Sequence, residues 1–246
     1  DTVDLEDMGR VVVYYGTGSG LETAPRTIIY GNQSSSGFGR MVESGLDVNN
    51  DGYDDVVVSS PNYDNWILRT IVNTDGTISE QQVLVKGQVQ LYLGSANGLS
   101  STPSWTLDGI EDVTLFGIPV ASAGDVNNDG FDDLLVSSPY EDVVVVLNNV
   151  PVVLPQSGVV RLYLGGINGL SDEAAWKYSG KLSNGFFGLA ISGAGDMDRD
   201  GYDDVIIGIP DTTGNGSVYL FSGRATGLTG EPEKIFDGDQ AGSLFG

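Results

Sequence analysis

Three stretches of the chain set oxygen-bearing side chains at alternate positions of a nine-residue run. They are Asp47-Val48-Asn49-Asn50-Asp51-Gly52-Tyr53-Asp54-Asp55, Asp125-Val126-Asn127-Asn128-Asp129-Gly130-Phe131-Asp132-Asp133 and Asp196-Met197-Asp198-Arg199-Asp200-Gly201-Tyr202-Asp203-Asp204. If each run curls, its first, third, fifth and ninth side chains and the seventh backbone carbonyl converge on one centre. That predicts Asp47, Asn49, Asp51, the Tyr53 carbonyl and Asp55 as one ligand set. The second set is Asp125, Asn127, Asp129, the Phe131 carbonyl and Asp133; the third is Asp196, Asp198, Asp200, the Tyr202 carbonyl and Asp204. Glycine at the sixth position permits the curl. Calcium takes about six to eight hard oxygens in flexible geometry, whereas magnesium demands a stricter octahedron and keeps its waters, so calcium is the better match. Asp, Asn and Gly also make plain solvated turns. A turn, however, has no use for acids at positions one, five and nine, and three copies in phase would crowd like charges without return. The third run, with Asp198 where the others have Asn, carries one more negative ligand.

The rest of the composition removes other chemistry. With no His and no Cys there is no imidazole base, no thiol nucleophile, no disulfide and no nitrogen or sulfur metal site. The balance of 34 Asp and Glu against 11 Lys and Arg, a net charge of −23, argues against nucleic acid and against anionic membrane surfaces. Three divalent cations would offset only six of those charges, so the ligand sets explain part of the acidity; a high-salt habitat is compatible with the remainder. A hydrophobic content of 40% over 246 residues supplies a sizeable core, and no apolar run is long enough to span a bilayer. The N-terminus is acidic where a signal peptide would be basic, which leaves a removed signal or a later starting point as expectations.

The acidic runs belong to a larger repeat. Phe-Gly occurs at 38–39, 116–117, 187–188 and 245–246, with offsets of 78, 71 and 58 residues. A strand-like run ending in Gly and followed by Gly-Leu moves in step with it: Gly16 with Gly20-Leu21, Gly94 with Gly98-Leu99, Gly165 with Gly169-Leu170 and Gly223 with Gly227-Leu228. Two landmarks with identical offsets define true structural repeats. Each acidic run leads into an apolar stretch, Val56-Val57-Val58, Leu134-Leu135-Val136 or Val205-Ile206-Ile207, which the sequence predicts to be a buried strand stopped by Pro61, Pro139 or Pro210. Further strands are expected at 89–93, 159–164 and 218–221, and no stretch carries a sustained helical period. Small four-stranded units repeated at about 70 residues, rich in Gly, predict an all-β protein of β-propeller blades.

The combination of Phe-Gly, the Asp-x-Asn/Asp-x-Asp-Gly-Tyr/Phe-Asp-Asp loop and an apolar strand ending in Pro resembles the FG-GAP repeats of integrin α-subunit propellers and their bacterial, archaeal and phospholipase-associated relatives. The likeness covers most of the chain. Where that family often has Gly-Ala-Pro, this chain has Ser59-Ser60-Pro61, Ser138-Pro139 and Gly208-Ile209-Pro210, departures that leave the ligand positions intact. The resemblance implies about three calcium ions bound on one rim, stiffening the blades, with the opposite rim and inter-blade loops free for partners. It also implies closed propellers of about seven blades, more than this length holds. The expectation is therefore a partial or open propeller of about four blades: one repeat region over 1–246, with a partial repeat at 1–37, repeats at 38–115, 116–186 and 187–244, and the start of another at 245–246. Such a chain is a fragment of a longer one or an open array completed by neighbours.

Two repeats carry inserts. Residues 66–87 include Asn73-Thr74-Asp75-Gly76, a hairpin turn signal between apolar runs, and 143–154 read as a second hairpin about Asn148-Asn149. Each is either an elongated blade hairpin or a protruding, weakly charged edge that pairs with a protein partner or another copy. Trp105 and Trp176 lie at matched places after the Gly-Leu landmark, which suits repeat packing. Asn32-Gln33-Ser34 and Asn215-Gly216-Ser217 fit the glycosylation acceptor pattern. The functional expectation is an extracellular or cell-surface calcium-binding module, not an enzyme, acting in adhesion or structural assembly through surface contacts. The alternative is a non-catalytic propeller attached to a secreted hydrolase or lyase.

Overall fold

β-Branched runs punctuated by Gly, Asn and Pro favour short pleated segments over helices, and among the described residues every regular element in the computed structural model is a strand. The structure describes residues 7–72, 77–109, 115–211 and 214–246. The first two strands that pair are β1 (Arg10–Val13) and β4 (Thr27–Tyr30), with a small ribbon of β2 (Gly16–Thr17) and β3 (Gly20–Leu21) between them. The first complete sheet has the order β5 (Val42–Leu46), β6 (Asp55–Val72), β7 (Ile78–Tyr92), β8 (Trp105–Asp108). The second runs β9 (Val120–Gly124), β10 (Asp133–Ser138), β13 (Val159–Tyr163), β14 (Trp176–Ser179), with a separate hairpin of β11 (Val143–Leu147) and β12 (Val150–Leu154) between its middle strands. The third runs β15 (Ile191–Gly195), β16 (Asp204–Ile209), β17 (Ser217–Phe221), β20 (Lys234–Asp237), with the ribbon β18 (Gly223–Arg224) and β19 (Gly227–Leu228) between β17 and β20. All pairings within these sheets are antiparallel. Among the described residues these are three four-stranded blades preceded by a half-blade made of the outer pair of strands.

Apolar residues face both ways along the middle strands, and every residue of β10 and β13 is buried. A strand buried on both faces must lie between two other layers, and the cores show which. One cluster joins Leu46, Val57 and Leu91 of the first blade to Phe116, Leu134 and Tyr163 of the second. Another joins Leu135 and Leu162 of the second to Phe187, Val205 and Phe221 of the third. A smaller one joins Val11 and Ile29 of the half-blade to Val58 and Tyr92. The hydrophobic core of this protein thus lies between blades, and the innermost strands β5, β9 and β15 touch in series.

The Phe-Gly landmark is the wedge in each seam. Phe116 and Phe187 are fully buried, and their backbones run so close to Gly87 and Gly158 of the preceding blade that a Cβ there would collide with the Phe carbonyls. The glycine after each Phe has a left-handed backbone, φ +83° at Gly117 and +85° at Gly188. Its N–H donates across to its own blade, Gly117 to Ser137 O at 3.0 Å and Gly188 to Gly208 O at 2.9 Å. The paired tryptophans open the outermost strands. Trp105 meets Tyr163 of the next blade edge-on at 5.6 Å, and the Trp176 indole N–H donates to Thr229 O at 2.9 Å.

One expected strand end is corrected. β10 and β16 do finish before Pro139 and Pro210, but β6 continues through Pro61 to Val72. The ladder breaks its register between Ser60 and Asp64, so the proline, which has no N–H to give, sits in an irregularity and the strand resumes. Residues 66–72 and 78–87 therefore extend the blade's own middle hairpin, Ile67 opposite Val83 and Val72 opposite Ile78; the expected turn at 73–76 lies outside the described residues. The second insert is an independent ladder, Val143 opposite Leu154 and Leu147 opposite Val150. Asn148 and Asn149 both have positive φ, the mirror-image turn that matches strand twist. Its base is pinned by Arg161, whose guanidinium donates to Glu141 at 2.8 Å, and by Asp142, which accepts the Gln156 N–H at 2.8 Å.

Gly117→Ala tests the wedge. The added methyl would sit 2.7 Å from Val89 Cγ2 on a backbone that L-residues disfavour. The expected loss of folding stability is about 2 to 3 kcal/mol, measured by chemical denaturation.

Candidate metal centre

Each acidic run leaves the inner strand of its blade and returns as the next. Its curl comes from two left-handed residues: φ is +53° at Asn50 and +84° at Gly52, +54° at Asn128 and +90° at Gly130, +67° at Arg199 and +97° at Gly201. These turn the loop amides inward, onto the first carboxylate. Asp47 accepts the N–H groups of Asp51 (3.0 Å) and Gly52 (2.8 Å). Asp125 accepts those of Asp129 (3.0 Å) and Gly130 (2.7 Å), and Asp196 those of Asp200 (3.1 Å) and Gly201 (3.0 Å). The fifth-position acids in turn accept from Tyr53, Phe131 and Tyr202. Among the described residues no donor reaches the carbonyls of Tyr53, Phe131 or Tyr202, which leaves them available to a cation.

The first, third and fifth positions are brought together. In the third loop Asp196, Asp198 and Asp200 each offer a carboxylate oxygen, all within 4.8 Å of one another. In the other two loops the third-position amide bridges to the fifth-position acid, Asn49 Nδ2 to Asp51 at 3.1 Å and Asn127 Nδ2 to Asp129 at 2.8 Å. Partial desolvation and the neighbouring acids Asp200, Asp204 and Asp196 push the Asp198 carboxyl up, against the Asp200 N–H that it accepts. Three exposed acids held this close by backbone N–H groups form an oxygen donor set that suits a hard cation.

The ninth-position acids have a further job. Asp55, Asp133 and Asp204 are the first residues of β6, β10 and β16 and are essentially inaccessible. Each spends one oxygen on its own loop and the other on the turn that follows the third strand of its blade. Asp55 accepts from Val48 (3.0 Å) and Gly94 (2.8 Å), Asp133 from Val126 (3.0 Å) and Gly165 (2.9 Å), and Asp204 from Met197 (3.0 Å) and Gly223 (3.1 Å). Burial pushes the Asp55 carboxyl up to about 6 and the Asp133 carboxyl up to about 7, with those N–H bonds opposing the shift.

A residue that the ligand spacing did not single out is the eighth. Asp132 accepts the Asp47 N–H at 2.8 Å and returns its own N–H to the Asp47 carbonyl at 3.2 Å. Asp203 does the same for Asp125, at 3.0 and 3.2 Å. The first two acidic loops are thus each clasped by the next repeat. The sequence signal was the first acid of Asp-Asp, present in all three copies. Of the two glycosylation-type asparagines, Asn32 is exposed, whereas the Asn215 amide donates to Gly238 O at 2.8 Å.

The sequence matches the FG-GAP repeat family at residues 38–79, 119–160 and 187–221, each match containing a Phe-Gly wedge or an acidic loop. The chain carries FG-GAP repeats in three places. It is also similar to integrin α subunits: 29% identical to human integrin alpha-6 over 88% of this chain, 32% to Xenopus laevis integrin alpha-5 over 79%, and 30% to mouse integrin alpha-IIb over 73%. The chain spans about one sixth of the length of these relatives, 16%, 16% and 15% respectively.

Two outcomes follow for the FG-GAP loops. Asp55 and Asp133 keep protons in the fold at pH values where the unfolded chain has released them, so the fold binds more protons than the unfolded chain between about pH 4 and 7 and loses stability as pH rises through that window. With a chelator present, the melting temperature is expected to fall between about pH 4 and 7, as followed by circular dichroism. Arg199 occupies the left-handed position that Asn fills in the other loops, so Arg199→Asn is expected to gain about 1 kcal/mol in a denaturation curve.

Proposed function

We propose that this FG-GAP region is an extracellular calcium-binding β-propeller-type module that acts in adhesion or structural assembly through surface contacts. The observation that carries the metal reading is the approach of Asp196, Asp198 and Asp200 within 4.8 Å, in a loop whose backbone frame recurs twice more. Asp47, Asn49, Asp51, the Tyr53 carbonyl and Asp55 would hold one ion. Asp125, Asn127, Asp129, the Phe131 carbonyl and Asp133 would hold a second, and Asp196, Asp198, Asp200, the Tyr202 carbonyl and Asp204 a third. Bound calcium supplies charge neutralisation that lets the acids sit together; the chain supplies the N–H groups that aim them. Sites of this kind outside cells work at roughly 10⁻⁴ to 10⁻³ M.

The non-enzymatic reading rests on where the acids are. The acids of the three runs fall in repeated loop and clasp positions, most of them engaged by backbone N–H groups, and among the described residues no separate constellation suited to acid and base work stands out. The integrin-like resemblance, together with the exposed faces of the two inserts, supports protein partners. Trp66, Leu68 and Ile78 on the first insert, and Val144, Val146 and Val153 on the second, are open to solvent. Hairpins 66–87 and 143–154 are the surfaces we assign to such contacts, within a repeat region divided at 38, 116 and 187. Among the described residues no helix is long and apolar enough to cross a membrane.

Calorimetric titration of the chain with calcium tests this reading. The expected result is binding at about three sites and a rise in melting temperature that chelator reverses. Each site held at about ten times its Kd contributes about 1.4 kcal/mol. Asp198→Ala is expected to remove one site and leave two. A melting temperature and protease sensitivity indifferent to calcium would sink the proposal.

A further inference from the structure

Neighbouring acidic loops share a peptide unit that faces both of them. The Phe131 carbonyl, assigned to the second ligand set, and the Asp132 N–H belong to one trans peptide, and that N–H donates to the Asp47 carbonyl at 3.2 Å. A planar trans unit points its C=O and its N–H in opposite directions, so holding one end fixes the aim of the other. The Asp132 carboxylate closes a ring by accepting the Asp47 N–H at 2.8 Å. Asp47 is also the residue whose own carboxylate gathers the Asp51 and Gly52 amides into the curl of the first loop. In the next seam the peptide between Tyr202 and Asp203 is placed in the same way. Its N–H donates to the Asp125 carbonyl at 3.2 Å, and the Asp203 carboxylate accepts the Asp125 N–H at 3.0 Å.

A second thread runs beside each clasp. Asp133, the ninth residue of the second run, accepts the Gly165 N–H, and the next N–H along, that of Gly166, donates to the Val48 carbonyl of the first loop at 2.9 Å. Asp204 accepts from Gly223, and the Arg224 N–H donates to the Val126 carbonyl at 2.9 Å. The loops also lie against one another: a Cβ at Gly130 would stand 3.3 Å from Asn50 Nδ2, and one at Gly201 would stand 3.5 Å from Asn128 Nδ2. Gly124, which precedes Asp125 with φ +73°, leaves room for the second clasp, since a Cβ there would collide with the Asp203 carboxylate.

We propose that Asp132 and Asp203 are positioning residues that couple the cation sites of neighbouring loops, so that filling the second loop tightens the first and filling the third tightens the second. The proposal rests on the reading of the three loops as calcium sites. Among the described residues the Phe131 and Tyr202 carbonyls take no donor, so a cation contact there would hold the second end of a peptide whose first end is already on the neighbouring loop. Asp132 and Asp203 would then keep their N–H and carboxylate on Asp47 and Asp125, the first ligand of the adjoining set. A loop whose leading acid is ordered in advance loses less conformational entropy when it binds. Linkage makes the effect mutual, each site tightening its neighbour by the same factor.

The probe is calcium, titrated into the full chain by isothermal calorimetry at about 0.15 M salt, where charges more than about 8 Å apart are largely screened. In a chain carrying Asp51→Ala to silence the first loop, the second and third sites are expected to fill cooperatively. Adding Asp198→Ala to silence the third is expected to weaken the second by about fivefold or more, the lower end of ordinary coupling. With Asp203→Ala in both chains that ratio should shrink to about twofold or less. Asp203→Asn, which keeps a side-chain oxygen for the Asp125 N–H, should restore it. A role confined to holding the third loop together would lower the affinity of that loop and leave the ratio alone. The same cycle at Asp132, with Asp200→Ala silencing the third loop and Asp129→Ala the second, repeats the test in the first seam and decides it if Asp203→Ala does not fold. Sites that bind independently, or a ratio indifferent to loss of the clasping carboxylate, overturn the coupling alone. Absence of any calcium binding overturns it together with the calcium reading.

Discussion

A carboxylate without access to water holds each repeat together. Asp55, Asp133 and Asp204 stand where an acidic loop becomes a strand, and each ties the backbone of that loop to the backbone of a turn formed some twenty to forty residues later. A buried acid is costly unless its oxygens are satisfied, and here two N–H groups do so. Those N–H groups are thereby fixed as well, which sets the height at which the loop meets the rim of the blade. The other oxygens of each loop inherit their frame from this dry anchor.

From that anchor the organisation spreads sideways. The loop is held from below by its own blade and from the side by the eighth-position Asp of the next, so neither blade alone completes it. The Phe-Gly wedge works in the same direction on the opposite part of the seam, with Phe116 and Phe187 filling the space left by Gly87 and Gly158. Apolar burial, backbone hydrogen bonding and acid placement thus all act across the junction between repeats. This is why three loops so rich in like charge are compatible with an ordered core: the seams beneath them are apolar.

Much of this was legible because it is local. The alternate oxygens, the sixth-position glycines and the apolar strands after them lie within nine or fifteen residues, and three in-phase copies distinguish them from ordinary turns. The four-stranded blades followed from landmarks moving together. The clasp was not legible, because Asp132 and Asp47 are 85 residues apart and nothing within either run says which acid faces a metal and which faces a neighbour. The double duty of Asp55 was hidden for the same reason, since Gly94 is 39 residues away. Pro61 misled because a proline ends a ladder only where the ladder is regular; a shift of register lets the strand resume beyond it.

The clasp has a consequence for how the chain comes apart. Since a loop is finished only by the repeat that follows, the cooperative unit straddles two blades, and a blade excised at its sheet boundaries would carry half of each joint. Stability in such an array is set by nearest-neighbour coupling and grows with the number of joints more than with the number of blades. Opening one joint therefore frees the loop of one blade and the clasping acid of the next together.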